Sequence, residues 1–299
     1  MAAPSDSLTL SHLGLRTASL ERARRFYTDI VGMVEGESGP QGELRLGWGR
    51  GHHALELVTG DGFGHFALEA EDAALTRFAQ RLDVHGVVWG WEDPWGDHPR
   101  ALALADPDGN RIELHGYVDR SGERTGGGGV RPIRVHHITF ASPDVARMID
   151  FYVQVLGFRI SDQMGEVFTW VRSNHEHHTV AVVHGPSASL DHFAFEVGSW
   201  AELGVWCDEL ARREVPLTWG PGRHGPGNNL FVMFDDADGR HIELSCEMER
   251  FWDDLADYAE RPRRWAQTQR TVNLWGPVPA WRGETTSAEA DPGPPAEAA

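Results

Sequence analysis

The chain has 299 residues, of which 40% are hydrophobic and 24% charged, and its formal net charge is −18. That length holds one large domain or two ordinary ones, each with a sizeable core. So acidic a chain lacks the clustered Lys and Arg that nucleic acid or an anionic membrane surface requires, and it has no run of about 18 apolar residues to span a bilayer. Two cysteines, Cys207 and Cys246, make neither a disulfide framework nor a CxxC motif, which points to a reducing cytoplasm. Met1 to Leu10 shows no basic or apolar run of a signal peptide.

In chain order, Leu10–Arg16 reads as a short apolar strand with His12 at its centre. An amphipathic helix through Glu21–Tyr27 follows and stops near Gly32, since Gly is a common helix stop. Gly64–Ala70 alternates like a strand and carries His65, and a second helix is expected near Ala73–Leu82. Asp106–Asn110 is a tight turn leading into a strand with Glu113. After Gly126–Gly129 the same order returns. His137 lies in the strand Val135–Ala141, a helix through Arg147–Tyr152 stops near Gly157, and the Phe-Tyr pair and its Gly recur 125 residues on. Asp191–Val197 carries His192, Trp200–Arg213 forms a helix, and Asp236–Leu244 is a turn and strand with Glu243.

The pattern predicts an α+β fold of two tandem modules, each a pair of βαβββ units curled into a half-open barrel. The expected divisions are a first module at 7–120, a Gly-rich linker at 121–130 and a second, metal-binding module at 131–250. An extension at 251–283 caps the active site, and 284–299, rich in Ala, Glu, Pro and Gly, is a disordered tail.

His137, His192 and Glu243 fall on three different strands. Two neutral imidazoles and one carboxylate on one face leave three coordination positions open, as non-haem Fe(II) oxygenases need in order to hold substrate and dioxygen together. Strand alternation turns His136 away from His137, whereas His241 shares the parity of Glu243 and suits a supporting position.

Six runs carry a family resemblance: His137–Asp144, Asn174–Ala181, Asp191–Val197, Gly220–Phe231, Asp238–Leu244 and Leu274–Trp281. The chain resembles the type I extradiol ring-cleaving dioxygenases over roughly residues 8 to 282, in particular the catechol 2,3-dioxygenase and homoprotocatechuate 2,3-dioxygenase branch. The resemblance implies Fe(II), with Mn(II) as the alternative, held by His137, His192 and Glu243. It implies His178 as the acid/base histidine, His224 hydrogen-bonding a catechol oxygen, Trp170 beside the oxygen site, and Arg270 and Trp281 of the tail near the substrate. The implied reaction cleaves a small aromatic diol with O2, in aromatic catabolism or secondary metabolism. It also implies a homo-oligomer, a dimer or tetramer. Met233 stands where the family has a Tyr, Trp219 where homoprotocatechuate enzymes place an arginine, and Thr139 where they place Asn. A larger, more apolar diol is therefore expected.

Two rival readings follow. One is a glyoxalase- or isomerase-like enzyme of the same superfamily, for which Met233 speaks and His178 and His224 do not. The other is a protein that sequesters aromatic ligands in a cleft of Trp48, Trp89, Trp91, Trp95, Trp170 and Trp219. The first module keeps His12, His65 and Glu113 in matching positions, with His53 near the place of His178. That set reads either as a second metal site or as an ancestral remnant. The remnant is preferred, because the first module has no counterpart of the Gly-Arg-His-Gly run.

Overall fold

The computed structural model describes residues 7–39, 42–48, 53–93, 100–118, 130–251 and 262–283. The expected linker, save Val130, and the expected tail lie outside the described residues, as does Trp95.

The first half runs β1 (Thr9–Thr17), α1 (Leu20–Arg25), β2 (Val34–Glu35), β3 (Leu44–Gly47) and β4 (Leu55–Thr59), then β5 (Phe63–Ala70), α2 (Asp72–Val84), β6 (Trp89–Glu92), β7 (Ala101–Ala105) and β8 (Arg111–Gly116). The second half repeats it with β9 (Arg134–Ser142), α3 (Val145–Asp150), β10 (Arg159–Met164), β11 (Phe168–Arg172) and β12 (Val180–His184), then β13 (Ser189–Glu196), α4 (Trp200–Arg212), β14 (Trp219–Arg223), β15 (Leu230–Asp235) and β16 (His241–Cys246). Each half is thus two βαβββ units in succession. Beyond them lie β17 (Arg263–Trp265), α5 (Gln269–Val272) and α6 (Ala280–Gly283). The strands form an 8-stranded sheet, β2-β3-β4-β1-β5-β8-β7-β6, and a 9-stranded one, β14-β15-β16-β13-β9-β12-β11-β10-β17.

Local chemistry sets the helix starts. Ser19, Asp144 and Ser199 each accept a hydrogen bond from the backbone three residues on, as N-caps do. The helices α2 and α4 bury Leu75, Phe78 and Leu82, and Leu203, Trp206 and Leu210, at helical spacing. The expected first helix of each half is in fact α1 or α3 plus a π-helical turn, Phe26–Ile30 or Phe151–Val155. The wider turn joins Val31 N to the Phe26 carbonyl and Leu156 N to that of Phe151, and it carries the buried Tyr27 and Tyr152. Gly32 and Gly157 follow at φ 75° and 77°, a conformation that costs a residue with a Cβ.

One apolar core crosses both halves. Trp48 packs edge-on against Phe195 at 5.3 Å, and Phe66 lies 5.5 Å from Phe140. Among the described residues no helix is long and apolar enough to cross a membrane.

Candidate metal centre and its pocket

Strands β9, β13 and β16 are neighbours, and their register decides the site. Thr139 pairs with His192, and Ala194 pairs with Glu243, so His137, His192 and Glu243 form a diagonal row on one face. One donor atom from each lies within 4.8 Å of the others. His137 Nε2 is 3.7 Å from Glu243 Oε1, and His192 Nε2 is 3.8 Å from Glu243 Oε2. Burial, with the neighbouring imidazole of His178, holds His137 well below the usual histidine pKa, in the neutral form that binds metal. Burial also pushes the Glu243 carboxyl up, but the hydrogen bond with His224 and the surrounding imidazoles outweigh it and leave the group below its ordinary value. The donor set therefore fits a divalent first-row ion with part of its sphere open.

A supporting shell orients each ligand. His192 Nδ1 donates to Asp191 at 2.6 Å, and Asp191 is ion-paired to Arg282, so His192 Nε2 faces the site. Burial raises the Asp191 carboxyl, yet Arg282 and His192 hold it far below the usual carboxylate range. Asn229 Nδ2 donates to Glu243 Oε1 at 3.0 Å and to Ser245 at 2.9 Å. His137 Nδ1 lies 3.3 Å from Nδ1 of His136. His136, Glu176 and Glu196 also cluster, but Arg134 binds both carboxylates, so that group is an ion-pair network.

The two other histidines point into the same space. His178 packs 4.3 Å from His137, ring to ring. Its Nδ1 meets Nδ1 of His177 at 3.0 Å, and His177 Nε2 meets Asp162 Oδ2 at 2.9 Å. Asp162 is fully buried and also accepts from Arg263 Nε at 2.6 Å and Trp265 Nε1 at 2.8 Å. A carboxylate can only accept, so the His177 proton sits on Nε2, and its Nδ1 must accept from His178 Nδ1. His178 Nε2 is left without a proton and is turned toward the pocket. The ring of His224 is held by the backbone instead. Its Nδ1 donates to the Val272 carbonyl at 2.5 Å, and Nε2 stands 3.4 Å from Glu243 Oε2.

The pocket above these groups has a volume of about 420 Å³. Its walls include Phe168, Trp170, Trp219, Pro226, Met233 and Val272, with Thr139 and Arg282 also lining it. Trp170 stacks on Phe168 at 4.0 Å, and His224 stacks on Phe231 at 3.8 Å. Met233 is fully buried and lies opposite both Trp219 and Glu243 in register.

Several expectations need correction. Arg270 does not line the pocket: α5 buries Thr271 and Val272 and leaves Arg270 exposed, and the tail arginine at the pocket is Arg282. Trp281 is 38% exposed and sits behind the wall, 5.8 Å from Trp219 and stacked on His241 at 4.3 Å. His241 bonds to Asp235 instead of supporting Glu243. Of the tryptophans in the rival ligand-sequestering reading, Trp48 is in the core and Trp89 and Trp91 are on the edge strand β6; among the described residues only Trp170 and Trp219 of that set line the pocket. Sequence reading missed Asp162, His177, Asp191, Asn229 and Arg282. For His177 and Asp191 a signal existed, since each precedes a singled-out histidine.

The sequence profile of the Glyoxalase/Bleomycin resistance protein/Dioxygenase superfamily matches residues 9–114 and 134–244, one match per sheet. The chain belongs to this superfamily. Among curated members, metapyrocatechase 2 of Cupriavidus necator is 28% identical over 235 residues, 70% of this chain and 71% of that one. An iron-dependent extradiol dioxygenase of Rhodococcus jostii is 25% identical, with 90% of this chain and 96% of that one covered. Among solved structures, the Mn(II)-bound glyoxalase from Novosphingobium aromaticivorans aligns with a TM-score of 0.81 at 23% identity, covering 97% of each chain. This last likeness is one of fold.

Proposed function

We propose that this superfamily member is an extradiol dioxygenase that opens the ring of a catechol-type diol with O2, using Fe(II), or Mn(II), at His137, His192 and Glu243. The observation that carries the reading is that His178 and His224 reach the same pocket as the triad, each turning an Nε2 toward it. An isomerase needs no such pair, and the extradiol relatives share most of the chain's length. Bound at the triad, the ion supplies a Lewis acid and an electron path between diol and dioxygen.

The chain's own groups do the rest. His224, its ring held in place by the Val272 carbonyl, offers Nε2 to hydrogen-bond one diol oxygen. His178 Nε2, without a proton at rest, takes one from the substrate and returns it later, and His177 and Asp162 fix its ring for both moves. Phe168, Trp170, Trp219 and Met233 exclude water and favour an uncharged, apolar substituent, because Arg282 is already neutralised by Asp191. The segment from Arg263 to Gly283 acts as a cap, since Gly225 N bonds to the Thr271 carbonyl and Leu274 N to that of Arg223. The first module serves as scaffold for diol chemistry, with the divisions 7–120, 131–250 and 251–283. A reducing cytoplasm suits the two free thiols, and a homo-oligomer is what the family resemblance implies.

The test is a panel of diols offered to protein purified without oxygen and loaded with iron. A yellow ring-opened product, abolished by a chelator and restored by Fe(II), is expected. Bound iron with no product from any diol contradicts the reading.

A further inference from the structure

The first module carries the same ligand geometry as the second. Gly14 pairs with His65 on β1 and β5, and Ala67 pairs with Glu113 on β5 and β8, which repeats the pairings Thr139 with His192 and Ala194 with Glu243. His12 therefore stands to His65 and Glu113 as His137 stands to His192 and Glu243. One donor atom of each again lies within 4.8 Å of the others. His65 Nε2 is 3.9 Å from Glu113 Oε2, against 3.8 Å for His192 and Glu243. The rings of His12 and His65 are 5.2 Å apart and edge-on, those of His137 and His192 5.7 Å and edge-on. His53 lies 4.3 Å from His12, the separation of His178 from His137.

We infer that His12, His65 and Glu113 form a second site for a divalent first-row metal ion. A supporting group is present as well. Arg111 donates to Glu113 Oε1 at 3.1 and 3.0 Å and leaves Oε2 toward His65, as Asn229 donates to Glu243 Oε1 and leaves Oε2 toward His192. The neighbouring His115 is not a ligand: its Nδ1 bonds to the Gly116 carbonyl and its Nε2 to Ser11. His65 is 12% exposed at its side chain, which gives an ion a way in.

The surroundings set what this ion can hold. Ala103 and Gly90 stand in the rows where the second module has Met233 and Trp219. Arg45 and Glu56 stand in the rows of Trp170 and Ala181. Aromatic walls are replaced by small and charged residues, so the open positions suit water or a small oxyanion and not an aromatic diol. The site goes beyond the proposed oxygenase reaction and does not depend on it.

The test equilibrates the full chain with Mn(II), removes free metal, and counts bound ions by elemental analysis and Mn(II) electron paramagnetic resonance. Two ions are expected for the natural chain, and one each for His65→Ala and His192→Ala. Glu113→Gln, nearly isosteric, keeps the test valid if His65→Ala fails to fold, and it should also bind one ion. One ion in the natural chain and none in His192→Ala would overturn the inference. One ion that persists in His192→Ala and is lost in Glu113→Gln would uphold it and overturn the second-module assignment instead.

Discussion

The hydroxyl of Tyr27, in the first module, donates to Asp236 of the second at 2.8 Å, and Tyr152 of the second donates to Asp106 of the first at 3.1 Å. The same turns are gripped by Arg22 on Asp238 and Arg147 on Asp108, both at 2.7 Å. Each Asp-x-Asp-Gly turn, which leads into a strand bearing a ligand glutamate, is thus anchored by the π-helical turn and helix of the other module. The contact is reciprocal across the repeat and explains why the Phe-Tyr pair and the turn recur together in the sequence.

Tyr27→Phe removes one donor to Asp236, which keeps those of Asp238 N, Arg240 N and Arg240 Nη1, and should destabilise the protein by about 0.5–1.5 kcal/mol. Burial raises the Tyr27 hydroxyl well above its usual value, and the Asp236 charge raises it further. Because the folded pKa is the higher one, this stability is fully present below the unfolded tyrosine pKa of about 10 and is lost as pH rises above it. Thermal unfolding between neutral and strongly alkaline pH checks this. The natural chain should lose stability more steeply than Tyr27→Phe.

Asp191→Asn weakens the acceptor that orients His192 and releases the neutralising partner of Arg282. The affinity of the second-module site for Mn(II) should fall about 10- to 100-fold. Competition with a chelator, run on a Glu113→Gln background to isolate that site, measures it.

Asp162→Asn places an amide donor or a weaker acceptor opposite His177 and frees His177 and His178 to change tautomer. Turnover should fall about 10²- to 10³-fold with the metal content intact. Nitrogen NMR of the metal-free protein should show His178 protonated at Nδ1 in the natural chain and mixed in the variant. An unchanged tautomer alongside unchanged turnover would remove His177 and Asp162 from the account.

Met233→Tyr brings a phenol into the pocket beside Glu243 and shortens the apolar space. kcat/KM for unsubstituted catechol should rise, and that for a diol with a bulky apolar substituent should fall about tenfold or more. Steady-state kinetics on the two substrates gives both numbers.

Much of this was legible in the sequence, for identifiable reasons. Strand alternation and the internal repeat placed His137, His192 and Glu243 on three strands, and the same repeat placed His12, His65 and Glu113. The shell was harder to read. Asp162 reaches His177 from β10, and Arg263 and Trp265 join it through a pairing of β10 with β17 that no local pattern announces. Arg282 and Arg270 both sit in the tail, and only the orientation of α5, fixed by burial of Val272, decides which one meets the pocket. The tryptophan count misled because burial, not abundance, determines whether an indole lines a cleft, as Trp48 against Phe195 illustrates.

The most direct test of the oxygenase assignment is stoichiometry: iron-loaded protein, one responsive diol, and simultaneous measurement of diol, O2 and hydrogen peroxide. The account predicts one O2 consumed per diol opened, with no peroxide released, because both oxygen atoms enter the product. Peroxide formed in step with O2 uptake while the aromatic ring stays intact would contradict it.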